Sequence, residues 1–180
     1  MRLAAAQSLL LIVDLQAKLL PAIDAGEAVL NHAAWLTDVA SLLGVPRLLT
    51  EHCPARIGLT DPGLRARFSP AEIIEKIHFS AVSEGGLLRA PAAERQQWVV
   101  CGTEAHVCVQ QTVLDLLAAG RQVFVVDEGV GSRQPRDKAL ALVRMQQNGA
   151  EIVSREMVAF EWLAHADHPQ FRRVLKDFIR

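Results

Sequence analysis

Apolar residues run unbroken through Leu9-Leu10-Leu11-Ile12-Val13 and stop at Asp14. A short apolar run without alternation marks a strand covered on both faces, as in a parallel sheet. Trp98 to Cys101 and Gln122 to Asp127 repeat this pattern, and Arg47 to Glu51, Ile73 to Ala81 and Glu151 to Ser154 give shorter or interrupted versions of it. Between these runs the apolar spacing becomes helical. Glu27 to Leu43 leaves through Gly44 and Pro46, Cys108 to Leu117 leaves through Ala118-Ala119-Gly120, and Pro135 to Asn148 starts on proline and ends before Gly149. Leu87 to Arg95, Met157 to Leu163 and Pro169 to Ile179 predict three further helices, the first of them weakly specified. Strands alternating with helices over short connections predict an α/β fold with a parallel sheet between two helical layers.

One connection breaks the pattern. His52 to Pro70 is rich in turn formers (Cys-Pro, Ile-Gly-Leu, Asp-Pro-Gly, Phe-Ser-Pro) and long for a compact domain, which suggests a functional loop.

Composition narrows the possibilities. The chain has 180 residues, 51% of them apolar, enough for a single domain over 1–180 with a substantial core. Acidic and basic residues are interspersed and the net charge is -1, so no footprint for nucleic acid or an anionic membrane surface is visible, and neither partner is expected. No stretch reaches the roughly 20 apolar residues of a membrane span. Three cysteines without disulfide or zinc spacing, and an opening segment without a small-residue cleavage site, predict a cytoplasmic protein. No G-x-G-x-x-G opens a helix, which argues against a dinucleotide cradle.

In open α/β sheets ligands bind beyond the carboxyl ends of the strands. Three ionisable or nucleophilic residues fall there: Asp14 after the first strand, Lys76 in the third, and Cys108 in the turn opening a helix. A thiol in the first helical turn faces unpaired N–H groups and the positive end of the macrodipole, which favours the thiolate. A primed cysteine with a lowered pKa is therefore expected, although cysteine is also a common buried packing residue, and the turn alone leaves both roles open. Asp14 could equally cap its turn and Lys76 be solvated. Together the three supply a nucleophile, a base and a cation.

These residues sit in Leu11-Ile12-Val13-Asp14-Leu15-Gln16, Glu75-Lys76-Ile77-His78-Phe79-Ser80, Gly102-Thr103-Glu104-Ala105-His106-Val107-Cys108-Val109 and Val125-Val126-Asp127 leading to Gly131-Ser132-Arg133. Over nearly its full length the chain resembles the isochorismatase-like cysteine hydrolases, and within them the small isochorismatase-domain proteins of undefined substrate rather than the nicotinamidases. The resemblance implies a Rossmann-like three-layer α/β/α fold with a six-stranded parallel sheet in order 3-2-1-4-5-6. It implies an Asp14-Lys76-Cys108 triad that opens a small amide or related carbonyl compound through a thioester. Cys108 would attack, Asp14 would take the thiol proton and pass it to the leaving group, and Lys76 would hold the thiolate. It further implies a non-proline cis peptide at Thr103-Glu104 and an oxyanion hole from the backbone N–H groups of Glu104 and Cys108. A homo-oligomer is expected by the same resemblance.

Gln16, His52, His78, Phe79 and His106 are candidate substrate contacts, with Cys53 and Trp35 behind them. The loop after the second strand offers His52 and Asp61 but not the paired histidines of the nicotinamidase metal site, so no catalytic metal and no cofactor are expected. Two other readings remain open. One is vinyl-ether hydrolysis of the isochorismatase kind, resting on Asp14 alone, and the other is a non-catalytic relative.

Overall fold

The computed structural model describes residues 1–180. β1 (Ser8–Val13), β2 (Arg47–His52), β3 (Ile73–Lys76), β4 (Gln97–Thr103), β5 (Gln122–Gly131) and β6 (Glu151–Val153) form one sheet. Its order is β3-β2-β1-β4-β5-β6 and every pairing is parallel. The long helices are α1 (Gly26–Leu42), α5 (Gln110–Ala118), α6 (Pro135–Gln147) and α7 (Arg155–Leu163), with single turns at α2 (Pro54–Ile57), α3 (Pro62–Arg65), α4 (Gly86–Arg89) and α8 (Phe171–Val174).

Alternate strand residues feed two cores. Leu10, Ile12, Val99, Cys101, Phe124 and Val126 pack with Val29, Leu36 and Val39 of α1 and Val158 and Trp162 of α7. Leu9, Leu11, Val13, Trp98, Val100, Val123 and Val125 pack with Val113 and Leu116 of α5 and Ala141 and Met145 of α6 on the other face. The cores hold 21 and 20 buried residues, so neither face of the sheet is left wet and the central strands have no polar face to show.

Several local expectations shift. β3 ends at Lys76 rather than Ala81, because residues 77–85 leave the sheet as an irregular loop, and where a helix is expected over Leu87 to Arg95 only the single turn Gly86–Arg89 forms. β5 continues past Asp127 to Gly131, with a register shift opposite Val100 to Gly102. Cys108 lies not in the first turn of α5 but in a π-turn, Ala105–Val109, that precedes it. The C-terminal segment buries Val174 and rests Phe178 edge-on against Trp35, whose indole N–H donates to the Phe178 carbonyl.

Gly102 pairs with Val13 where the backbone has φ +135°, and an added Cβ would lie 2.1 Å from the Val13 carbonyl oxygen. Gly102→Ala is expected to cost about 3 kcal/mol or more, since backbone must move at a left-handed site. Thermal unfolding would read this as a fall of at least roughly 6 °C for a chain of this size.

Candidate active site

The chain leaves β1, winds outward through β2 and β3, then crosses back to β4 on the other side of β1. The switch point therefore lies between β1 and β4, where open α/β sheets form their ligand crevice. Asp14 follows β1 there and adopts a left-handed backbone, φ +51°. Such a conformation is tolerable for aspartate but needs surrounding support. Two threonines and a lysine supply it. The Thr103 hydroxyl donates to the Asp14 carbonyl at 2.8 Å, the Thr50 hydroxyl donates to Asp14 Oδ1 at 2.6 Å, and Lys76 Nζ donates to Asp14 Oδ2 at 2.6 Å. The Asp14 and Lys76 side chains are each 1% exposed. Lys76 also donates to the carbonyls of Phe79 at 3.0 Å and His78 at 3.2 Å, so all three ammonium protons have acceptors. That saturation lets a buried cation persist.

Cys108 completes the cluster. It is 7% exposed, and the charges of Asp14 and Lys76 both act on its thiol. The expectation of a lowered thiol pKa is overturned. Burial first, then the Asp14 carboxylate, push the thiol up to about 12, against a smaller opposing pull from Lys76. The π-turn's N-terminal dipole does not outweigh loss of water and a facing anion. Losing the proton to solvent would leave a buried net charge of -1 on the three side chains, whereas passing it to Asp14 leaves their sum at zero. The thiol is thus built to give its proton inward.

This arrangement has a consequence for stability. The unfolded thiol ionises near pH 9 and the folded one near 12, so folding is favoured by the neutral thiol below pH 9 and loses that contribution as pH rises from 9 towards 12. Cys101, fully buried, is pushed upward too and acts in the same direction. Chemical denaturation is expected to show stability falling above pH 9 in the wild type and falling less in Cys108→Ala.

The Thr103-Glu104 peptide bond is cis. The Glu104 N–H has no acceptor within the chain, while its carbonyl accepts from Val107 and Val109, closing the π-turn that carries Cys108. The Glu104 carboxylate accepts from Arg133 Nε at 2.8 Å. Beside it, Leu19, Ala22, Ile23, Glu104 and Arg133 line a crevice of about 300 Å³. Larger hollows of about 420 and 460 Å³ lie on the β2–β3 side, and none of the three is lined by Asp14, Lys76 or Cys108. The chemistry, not the size of a hollow, locates the site.

The other candidates divide. Gln16 is fully buried and spent: its amide donates to the carbonyls of His52 and Gly58, and its Oε1 accepts from the His52 N–H at 2.8 Å. Both its amide protons and its carbonyl oxygen are thus engaged in pinning the loop after β2. His52 lies beside the Asp14-Lys76 pair with its ring 5.4 Å from that of Phe79. Burial and Lys76 lower its pKa, keeping it neutral. Phe79 is 51% exposed at the rim. The His78 ring faces away to Glu84 at 2.8 Å, and this residue serves the site through its carbonyl. His106 Nδ1 meets Ser132 Oγ at 3.0 Å, two residues ahead of Cys108. Asp61 caps α3 by accepting from the Leu64 N–H, and no group of three or more His, Cys, Asp or Glu side chains gathers in the manner of a metal site. Cys53, half-buried, opens the loop's first turn as the N-cap of α2, and Trp35 lies on α1 with the Arg155 guanidinium over its ring. The sequence reading missed Thr50 and Thr103, whose signal was a threonine at the carboxyl end of a strand beside Asp14.

Comparison with known proteins resolves the fold's affiliation. Residues 8–157 match the Isochorismatase domain. The chain belongs to the isochorismatase family. It is 36% identical over 175 residues to mouse isochorismatase domain-containing protein 2A, covering 97% of this chain and 84% of that one. Among solved structures it is similar to the MAR1 ribonuclease of Caenorhabditis elegans, with 32% identity, a TM-score of 0.90, and 100% and 93% of the two chains covered. It is also similar to YcaC. The Pseudomonas aeruginosa protein, solved with hexane-2,5-diol and covalent acrylamide, and the Escherichia coli protein, described as an octameric hydrolase of unknown specificity, each show 26% identity and a TM-score of 0.91. These alignments cover 99% of this chain and 92% and 91% of those two. Membership of this family carries a hydrolase fold. No helix is long and apolar enough to cross a membrane.

Proposed function

We propose that this isochorismatase-family protein is a cysteine hydrolase of a small amide or related carbonyl compound. The observation that carries the reading is the closed proton circuit of Cys108, Asp14 and Lys76 beside the uncommitted Glu104 N–H. Sγ bonds to the substrate carbonyl carbon as the thiol proton moves to Asp14, and the carbonyl oxygen takes up negative charge against the N–H groups of Glu104 and Cys108. Collapse breaks the C–N bond, the Asp14 proton goes to the leaving nitrogen, and a thioester remains. Water then adds to the thioester, giving its proton to Asp14, and the returning thiolate regains a proton from that carboxyl group. Lys76 stays protonated throughout and offsets whichever of the thiolate or carboxylate bears the charge.

The near-complete burial of Asp14, Lys76 and Cys108 supports a small substrate rather than a polymer. The covalent acrylamide on one YcaC and the description of the other as an octameric hydrolase support a reactive nucleophile and a homo-oligomer in this chain. Three unpaired cysteines support a reducing, cytoplasmic setting. A panel of primary amides (formamide, acetamide, propionamide, benzamide) tests the reading by ammonia release. Turnover of at least one, dependent on Cys108, is expected; ammonia release that is unaffected by Cys108→Ala would overturn the cysteine reading.

A further inference from the structure

Thr50 holds Asp14 twice. Its carbonyl accepts the Asp14 N–H at 3.2 Å and its hydroxyl donates to Oδ1 at 2.6 Å, with both residues fully buried. That hydroxyl makes no other hydrogen bond. Oδ1 thus takes Thr50 from β2 while Oδ2 takes Lys76 from β3, and donors on opposite oxygens fix the plane of the carboxylate. The remaining ionisable groups near it are the Cys108 thiol from the π-turn and the neutral His52 ring at the end of β2.

We propose that Thr50 is a positioning residue: its hydroxyl locks the Asp14 carboxylate in the plane that receives the Cys108 proton while Lys76 is retained. The proposal rests on the hydrolase reading above. A hydroxyl proton in the plane of an ionised carboxylate makes a short, charge-assisted bond, stronger than a neutral one. Without it, Oδ1 is a buried acceptor lacking its donor, and the carboxylate turns about Cβ–Cγ. Valine matches the shape of threonine and suits a buried strand, so Thr50→Val removes the donor with little other change.

The test uses acrylamide, a small carboxamide-bearing electrophile, with the adduct at Cys108 followed by mass spectrometry in the full-length protein. In this reaction Sγ bonds to the β-carbon and the thiol proton passes by way of Asp14 to the α-carbon. Thr50→Val is expected to slow adduct formation about tenfold at neutral pH and to move the acid limb of the rate to higher pH by about one unit, the scale of one charge-assisted hydrogen bond. Thr50→Ser, which keeps the hydroxyl, is expected to fall within about twofold of wild type with an unmoved limb. Thr50→Ala carries the same comparison if the valine variant does not accumulate. A wild-type rate and limb in the hydroxyl-free variants overturns the proposal. So does an equal loss in the serine and valine variants with the limb unmoved, which is packing alone. The hydrolase reading fails separately, on ammonia release that survives in Cys108→Ala.

Discussion

Cys108→Ala is expected to lower kcat/KM for the amide that the protein turns over by about 10⁴-fold or more, a loss of roughly 5 kcal/mol of transition-state stabilisation. Nothing else in the cluster can form the covalent intermediate. Asp14 has one oxygen on Thr50 and the other on Lys76, and the Lys76 ammonium has no free pair of electrons. Cys108→Ser is expected to lose nearly as much, because a hydroxyl holds its proton more tightly than a thiol and the inward transfer to Asp14 becomes uphill. Ground-state binding should be little changed, so the loss belongs in kcat, measured under steady-state conditions alongside KM. The alanine variant should fold as well as the wild type near neutral pH, since it removes a buried neutral thiol and leaves the Asp14-Lys76 pair intact.

Lys76→Ala is expected to act differently, on stability as well as rate. The Asp14-Lys76 pair is fully enclosed, and deleting the cation leaves a buried carboxylate whose one remaining side-chain donor is the Thr50 hydroxyl. Breaking one side of such a pair costs about 3–5 kcal/mol. For a chain of this length that is a fall of roughly 6–20 °C in Tm. The carbonyls of His78 and Phe79 lose their donor in the same step, so the loop from Ile77 to Gly85 should become more open to proteolysis. Lys76→Met, similar in length but uncharged, should show a similar loss of stability if charge rather than volume is responsible. Thermal unfolding of the three proteins together with limited proteolysis separates these effects.

The fold was legible because the central strands are covered on both faces and so read as unbroken apolar runs. Leu9 to Val13 and Trp98 to Cys101 could not be surface strands. The chemistry at the strand ends was legible for the same reason: Asp14 interrupts a run in which no carboxylate is otherwise tolerated. What escaped the sequence depends on tertiary proximity. The local turn argues for a thiolate, while the opposing influences on the thiol, burial and the charge of Asp14, come from packing and from a residue 94 positions away in the chain. Gln16 reads as a pocket residue beside Asp14, yet His52 and Gly58 consume its amide. Thr50 reads as an ordinary β-former. The end of β5 reads as a turn because of Gly129 and Gly131, but these are sites of close approach: an added Cβ would meet Cys101 Sγ at 2.7 Å in the first case and Ile23 Cγ2 at 2.7 Å in the second.

The central claim, that Cys108 carries an acyl group during turnover, is tested most directly by acid-quenching the protein during hydrolysis of its amide and measuring the intact mass and the Cys108 peptide. The mechanism predicts a mass increase equal to the substrate's acyl group, located on Cys108, discharged by hydroxylamine and absent in Cys108→Ala. Steady turnover with no acyl group on Cys108 at any quench time, undiminished in the alanine variant, would contradict it.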